Sequence, residues 1–281
     1  MNVLIALLLG LVQGITEFLP ISSSGHLAIL QNLFNMDYYS EQHLLFDILL
    51  HLGTLVAIFA VYRKDIRLMI GDGVDYLRMK SDSNLDEPVV LKPPGRALLF
   101  IIIGTLPLIP MMFIPVSQLF FNTFFIGFAL IMTGFILFVA SRFVKEGRKT
   151  DKTMTIVDAL VIGLAQAVAV MPGLSRSGTT ISVGLARGLT GAFAVRFSLL
   201  LSIPAVIGAT IVAIFRAFTG GADFSLLPMY LVGFIIAAGI GYFAIQILRR
   251  VVGRKKLGSF AYYCWGIGLM TIIWSFIRLG S

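Results

Sequence analysis

"EFLPISSSGH", residues 17–26, interrupts the first apolar stretch of the chain. A carboxylate, a proline, three serines, a glycine and a histidine are poor neighbours for lipid tails. Polar and ionisable groups persist at bilayer depth only where they face protein or a cavity. A similar interruption returns as "PGLSRSGTT", residues 172–180. The reading of these two stretches decides the fold.

The 281 residues are 58% hydrophobic and 13% charged, with mean hydropathy +0.94. A soluble domain carries about 25% charged residues, so the composition indicates an integral membrane protein. Long apolar runs, rather than alternating segments of about ten residues, indicate helices and not a barrel. The net charge of +8 does not indicate a nucleic-acid partner, because the basic residues cluster in the loops between apolar runs. One cysteine, Cys264, excludes an intrachain disulfide framework and a multi-cysteine metal site. The N-terminus lacks a basic region, so it is not read as a cleaved signal peptide.

Six apolar segments approach the roughly 20 residues that a span requires: 44–62, 97–115, 122–142, 195–215, 228–249 and 260–278. The remaining apolar runs, 3–19 with 24–34 and 156–171 with 179–190, form two pairs, each broken by a polar Pro/Gly/Ser stretch. Runs of that length suit re-entrant hairpins. The stretches 63–96, 142–155 and 249–257 are rich in Lys and Arg, whereas 35–43 and 116–121 have none and 216–227 has only Arg216. Rich and poor loops alternate if six segments span and both pairs dip in and return. The basic loops, including 63–96 as a cytoplasmic connector, are then expected in the cytoplasm and both termini outside.

The chain also resembles itself. Gln13 and Ser22-Ser23-Ser24-Gly25 return as Gln166 and Ser175-Arg176-Ser177-Gly178 with the same Gln-to-Gly spacing, and Pro20 and Pro172 break the two copies. Each repeat, about 1–143 and 156–278, is one hairpin followed by three spans. Three is odd, so the second copy enters the membrane upside down. The expected fold is therefore all-α: a single polytopic domain over 1–281, with six transmembrane helices and two re-entrant hairpins in an inverted-topology repeat. In such folds the broken segments meet near the midplane and build the site.

At each break proline ends one arm and serines cap the next, with Ser24 and Ser177 read as caps. Two helix N-termini with Arg176 between them suit a strongly anionic group such as a phosphate. Glu17, one turn from Gln13, can supply a carboxylate. With Ser23 and His26 it can supply a nucleophile, a base and an orienting group. Asp47 and His51 can line the same cavity or serve a helix–helix hydrogen bond, and they are left outside the core site. Arg187 and Arg196 are read as flanking charges. A carrier or flippase for an anionic lipid or small anion would use the same repeat and helix dipoles. The Glu/Ser/His set beside Arg176 distinguishes a hydrolase from it.

"QGITEFLPISSSGH" and "PGLSRSGTT" closely resemble the two signature motifs of the undecaprenyl-pyrophosphate phosphatase family of the bacitracin-resistance type. The resemblance covers nearly the whole chain. It implies hydrolysis of undecaprenyl pyrophosphate to the monophosphate, the lipid carrier for cell-wall polymers, in the bacterial plasma membrane. It carries roles onto Glu17, Ser23, His26, Ser175, Arg176 and Thr180, with Gln13, Ser22 and Ser177 beside them. It further implies a divalent cation, magnesium or calcium. Gln13 stands where the family pattern often has Glu, which leaves Glu17 as the main anionic ligand. The partners expected are the lipid substrate and the bilayer, with no nucleic acid and with a homodimer left open. The active site is expected to open to the outer face, because the outer hairpin carries Glu17, Ser23 and His26.

Overall fold

The computed structural model describes residues 3–34, 36, 41–81, 91–114, 122–144, 147–219 and 224–279. Ten α-helices account for most of them: α1 (Val3–Thr16), α2 (Ser23–Leu33), α3 (Glu41–Ser81), α4 (Pro93–Thr105), α5 (Thr123–Phe143), α6 (Ile156–Val168), α7 (Arg176–Ala186), α8 (Gly191–Thr219), α9 (Leu227–Gly253) and α10 (Ser259–Leu279). Five helices, α3, α5, α8, α9 and α10, are long and apolar enough to cross a membrane. The chain is an all-α polytopic membrane protein.

Two expectations need correction. The segment 97–115 is not one continuous helix: α4 stops at Thr105 and continues as short 3-10 turns over Leu106–Leu108 and Pro110–Phe113. Pro107 and Pro110 lack the N–H that an α-helix needs there, so the chain tightens into 3-10 turns. Pro115 lies outside the described residues. The connector 63–96 is helical in its first part, because α3 runs on to Ser81, with non-helical angles only at Tyr62 (φ −104°, ψ 18°). Its charged residues are good helix formers, and no proline interrupts them before residue 88.

The packing exchanges partners between the two halves of the chain. A Cβ added at Gly10 of α1 would lie 2.6 Å from the Gly233 carbonyl of α9, and one at Gly163 of α6 would lie 2.8 Å from Gly104 Cα of α4. Each hairpin's first arm thus presses on a helix of the opposite half. Gly127 of α5 and Gly268 of α10 approach reciprocally, with added Cβ atoms 2.8 and 2.7 Å from each other's carbonyls. Small residues let helix backbones approach in a membrane, where dispersion and close packing replace the hydrophobic drive between helices.

At the basic-rich end, Thr155 and Asp158 form a reciprocal capping box at the start of α6. The buried Asp158 carboxylate also accepts from Lys149 Nζ and Arg187 Nε, both at 2.8 Å. Burial alone would raise its carboxyl. The Lys149 ammonium, the Thr155 N–H and hydroxyl and the Arg187 guanidinium instead hold it down at about 2. Arg196 bridges Asp65 and Asp151 at 2.9 and 3.0 Å. Arg187 and Arg196 are therefore committed to ion pairs that tie the second hairpin, α3 and α8 together.

Candidate active site

The breaks between α1 and α2 and between α6 and α7 meet inside the helix bundle. Ser22 caps α2, accepting from Gly25 N–H at 3.2 Å, and Ser175 caps α7, accepting from Gly178 N–H at 3.1 Å. The caps lie two residues before the expected Ser24 and Ser177. Those serines reach across instead: Ser24 Oγ accepts from Gly173 N–H at 3.3 Å, and Ser177 Oγ donates to the Leu19 carbonyl at 3.4 Å. A Cβ added at Gly25 would lie 3.2 Å from Gly173 Cα, and one at Gly178 would lie 3.2 Å from Pro20 Cβ. A side chain at either position would press on the opposite break, because the two breaks cross there. The long helices brace the crossing in the same exchanged sense. Thr133 of α5 donates to the Gly173 carbonyl at 3.3 Å, and the Cys264 thiol of α10 approaches the Pro20 carbonyl at 3.8 Å.

Glu17 is the electrostatic centre of this junction. It is 6% exposed, and its Oε1 pairs with Arg176 Nη2 across the two hairpins. Its Oε2 accepts from Ser23 Oγ at 2.6 Å and from Gln13 Nε2 at 3.0 Å. His51 Nε2 stands 3.6 Å from the same oxygen. Arg176 keeps Nη1 without a protein partner among the described residues. A cavity of about 350 Å³ opens onto these groups. Glu17, Ser22, Ser23, Ser175 and Arg176 line it, with Asp47, His51 and Gln166. Its apolar wall comes from Leu27, Ile48, Leu108, Ala205, Val206 and Ala209.

Other expected residues lie elsewhere. Gln13 is fully buried behind Glu17. Thr180 bonds the Arg176 carbonyl at 2.8 Å and the Ser198 hydroxyl, locking α7 to α8. His26 does not line the cavity. Its Nδ1 faces the Ser22 carbonyl at 2.7 Å, and its Nε2 faces Tyr263 Oη at 2.9 Å, with the two rings stacked. A carbonyl can only accept, so Nδ1 carries the proton and Nε2 accepts from tyrosine. Both nitrogens are thereby engaged, Nε2 with α10 and Nδ1 in holding Ser22, whose φ of 72° lies in the left-handed region that side chains avoid.

His51 and Asp47, set aside from sequence, do reach the cavity. His51 Nδ1 donates to the Asp47 carbonyl at 2.7 Å, and Asp47 Oδ1 accepts from Gln31 Nε2 at 2.8 Å. Their one-turn spacing on α3 was the signal available. Among the described residues no three His, Cys, Asp or Glu side chains form a metal cluster. A single carboxylate at Glu17 nevertheless fits a hard cation that is held chiefly by phosphate oxygens and water.

Fold and site together define a polytopic membrane protein whose two crossed hairpins enclose a buried carboxylate, hydroxyl and guanidinium. Comparison with known proteins narrows this class. The family model described as bacitracin resistance protein BacA matches residues 6–270, and the chain belongs to that family. It is 40% identical over 279 residues, 97% of each chain, to an undecaprenyl-diphosphatase of Carboxydothermus hydrogenoformans. It is 40% identical over 282 residues, 99% of each chain, to one of Methanosphaera stadtmanae. An undecaprenyl-diphosphatase 3 of Bacillus cereus is 37% identical over 288 residues, covering 99% of this chain and 100% of the relative.

Proposed function

We propose that this protein is a hydrolase that converts undecaprenyl pyrophosphate to undecaprenyl phosphate and inorganic phosphate, regenerating a lipid carrier for cell-wall synthesis and lowering sensitivity to bacitracin. The observation that carries the reading is the Ser23 hydroxyl held 2.6 Å from a Glu17 carboxylate that also pairs with Arg176. A carrier needs groups that bind an anion. A hydroxyl aligned on a carboxylate beside the anion site is what group transfer needs.

In this reading the diphosphate enters the cavity and draws Arg176 into forked contacts with its oxygens. The first turn of α7, capped by Ser175, adds the positive end of a helix dipole. Relieved of its guanidinium, Glu17 takes the Ser23 proton on Oε2. Ser23 Oγ bonds to the terminal phosphorus as the bridging P–O bond breaks, and undecaprenyl phosphate leaves. Water then cleaves the phosphoserine, the serine oxygen regains a proton, and inorganic phosphate departs. Gln13 fixes the Glu17 carboxylate. His26 holds the Ser22 backbone that sets the position of Ser23. Glu17 would be the residue to hold a magnesium or calcium ion, which would supply neutralisation of phosphate charge.

The apolar wall suits the first isoprene units of the tail, whose remainder can stay in lipid. The reading includes a site open to the outer face of the plasma membrane. The cavity takes its α3 wall from residues 47–51 and its α8 wall from residues 205–210. Those are the portions of each helix nearer to the loops poor in Lys and Arg.

The deciding experiment follows phosphate release from a polyprenyl pyrophosphate by detergent-purified protein, wild type and Ser23→Ala, with acid quench to trap a phosphoenzyme. Turnover with phosphate mapped to Ser23 is expected. Turnover without any covalent species would replace the serine route by direct attack of water, and absence of turnover would sink the hydrolase reading.

A further inference from the structure

Gln166, on α6, stands 153 positions after Gln13 and is its counterpart in the repeat. Both amides are enclosed, with Gln13 at 0% and Gln166 at 1% exposure. Their surroundings differ. Gln13 Nε2 donates to Glu17, four residues on. Four residues after Gln166 the chain has Val170, whose side chain offers no acceptor. Among the described residues neither Nε2 nor Oε1 of Gln166 has a hydrogen-bond partner. A buried primary amide with nothing to bond loses its hydration without return, and such groups call for an explanation.

The explanation lies in where the residue stands. Gln166, Ala169 and Val170 form the α6 wall of the cavity that Glu17, Ser23 and Arg176 also line. Its place is fixed by backbone packing: Gly163, one turn earlier, abuts Gly104 of α4. Among the described residues, the other buried side-chain donor without a partner on that cavity is Arg176 Nη1.

We propose that the Gln166 carboxamide is a direct substrate contact, its Nε2–H donating to a non-bridging oxygen of the diphosphate alongside Arg176 Nη1, with Oε1 accepting from a protonated phosphate oxygen or from water. The proposal rests on the diphosphatase reading above. A neutral donor adds affinity for the diphosphate without a second cation that would retain the phosphate product.

The test uses full-length detergent-purified protein. Gln166→Leu keeps the volume and removes both amide dipoles. No protein group loses a partner, so its thermal midpoint without ligand equals or exceeds that of wild type. Its kcat/KM on a prenyl pyrophosphate falls by roughly ten- to hundredfold, the worth of a hydrogen bond to a charged group. Gln166→Glu, which faces the diphosphate with a carboxylate, falls further. Inorganic pyrophosphate raises the thermal midpoint of wild type and raises that of Gln166→Leu less. Wild-type kcat/KM with a full pyrophosphate shift in Gln166→Leu overturns the contact. So does a drop in its ligand-free midpoint with an undiminished pyrophosphate shift, which marks a structural amide. A wild type that is stabilised by pyrophosphate in a Gln166-dependent way, yet hydrolyses no prenyl pyrophosphate, sinks the hydrolase reading and keeps the contact. A wild type that shows neither response sinks both.

Discussion

Glu17 and Arg176 are 159 positions apart, on different hairpins, and meet as a buried ion pair. Neither hairpin contains a charge partner of its own at this depth, so each half of the chain supplies what the other lacks. Arg176→Ala therefore has two expected effects. Turnover falls by at least about a hundredfold, because the anion loses its preorganised cation. Stability falls by roughly 3 kcal/mol, because Glu17 is left charged and buried. Adding Glu17→Gln recovers thermal stability and no activity. Near-normal phosphate release from Arg176→Ala would show that the anion binds elsewhere. Arg176→Lys stays poor, since a point charge does not reproduce the fork.

Glu17→Gln damages turnover far more than Gln13→Ala. The first removes the charge that pairs with Arg176 and faces the Ser23 hydroxyl. The second removes one of the donors to Glu17 Oε2, the 3.0 Å amide bond, and leaves the 2.6 Å serine bond. Kinetics of the two purified variants across a magnesium series decide this, and equal losses would demote the pair to a structural unit.

His26→Ala is expected to lose stability and turnover together, because its ring holds the strained Ser22 backbone. Tyr263→Phe removes only the Nε2 partner and should keep at least roughly a tenth of the activity, in line with loss of one hydrogen bond. A His26→Ala protein of unchanged melting temperature and no turnover would return the imidazole to the chemistry.

The Asp158 cluster makes stability depend on acid. A carboxyl held at about 2 in the folded protein, against an ordinary 3.8, contributes stability that is fully present above the ordinary value. That contribution is lost as the pH falls through about 2. After allowance for the partly exposed Lys149 and Arg187, it is on the order of 1–2 kcal/mol. Asp158→Asn should melt lower than wild type at pH 7, and the gap should narrow between about pH 4 and pH 2. A gap constant over that window would mean the carboxylate charge is not what matters.

Access to the cavity can be tested with Ala209→Cys, on its α8 wall. Cys264 is fully buried, so the native thiol gives little background. A membrane-impermeant thiol reagent should label Ala209→Cys in intact cells, and undecaprenyl pyrophosphate should slow that labelling. Labelling only after the cytoplasmic face is exposed would reverse the orientation.

The membrane class and most helices were legible because hydropathy is additive along the chain. α3 beyond Tyr62 was not, since a charged helix leaving the membrane and a charged loop have similar composition. Arg176, Glu17 and Ser23 were legible as costly residues in an apolar run. The true caps, Ser22 and Ser175, were missed by two positions, because each break offers more than one serine hydroxyl and only the crossing decides which one turns inward. The direction of His26 depends on Tyr263, which lies 237 positions away, and no local pattern encodes it. Gln166 was noticed as a repeat marker, but the absence of a partner is a property of the assembled cavity.

The crossing of Gly25 over Gly173 and of Gly178 over Pro20 has a consequence for how this chain tolerates change. Shape is held there in duplicate: two caps, two glycines, two reaching serines. Reactivity is held in single copy, for at the matching positions Glu17 faces Val170 and Ser23 faces Arg176. Damage to a shape position should therefore resemble damage to its twin, and the two should be comparable in kind. A lost reactive group has no twin to fall back on. The junction is paired in its shape and lopsided in its vulnerability.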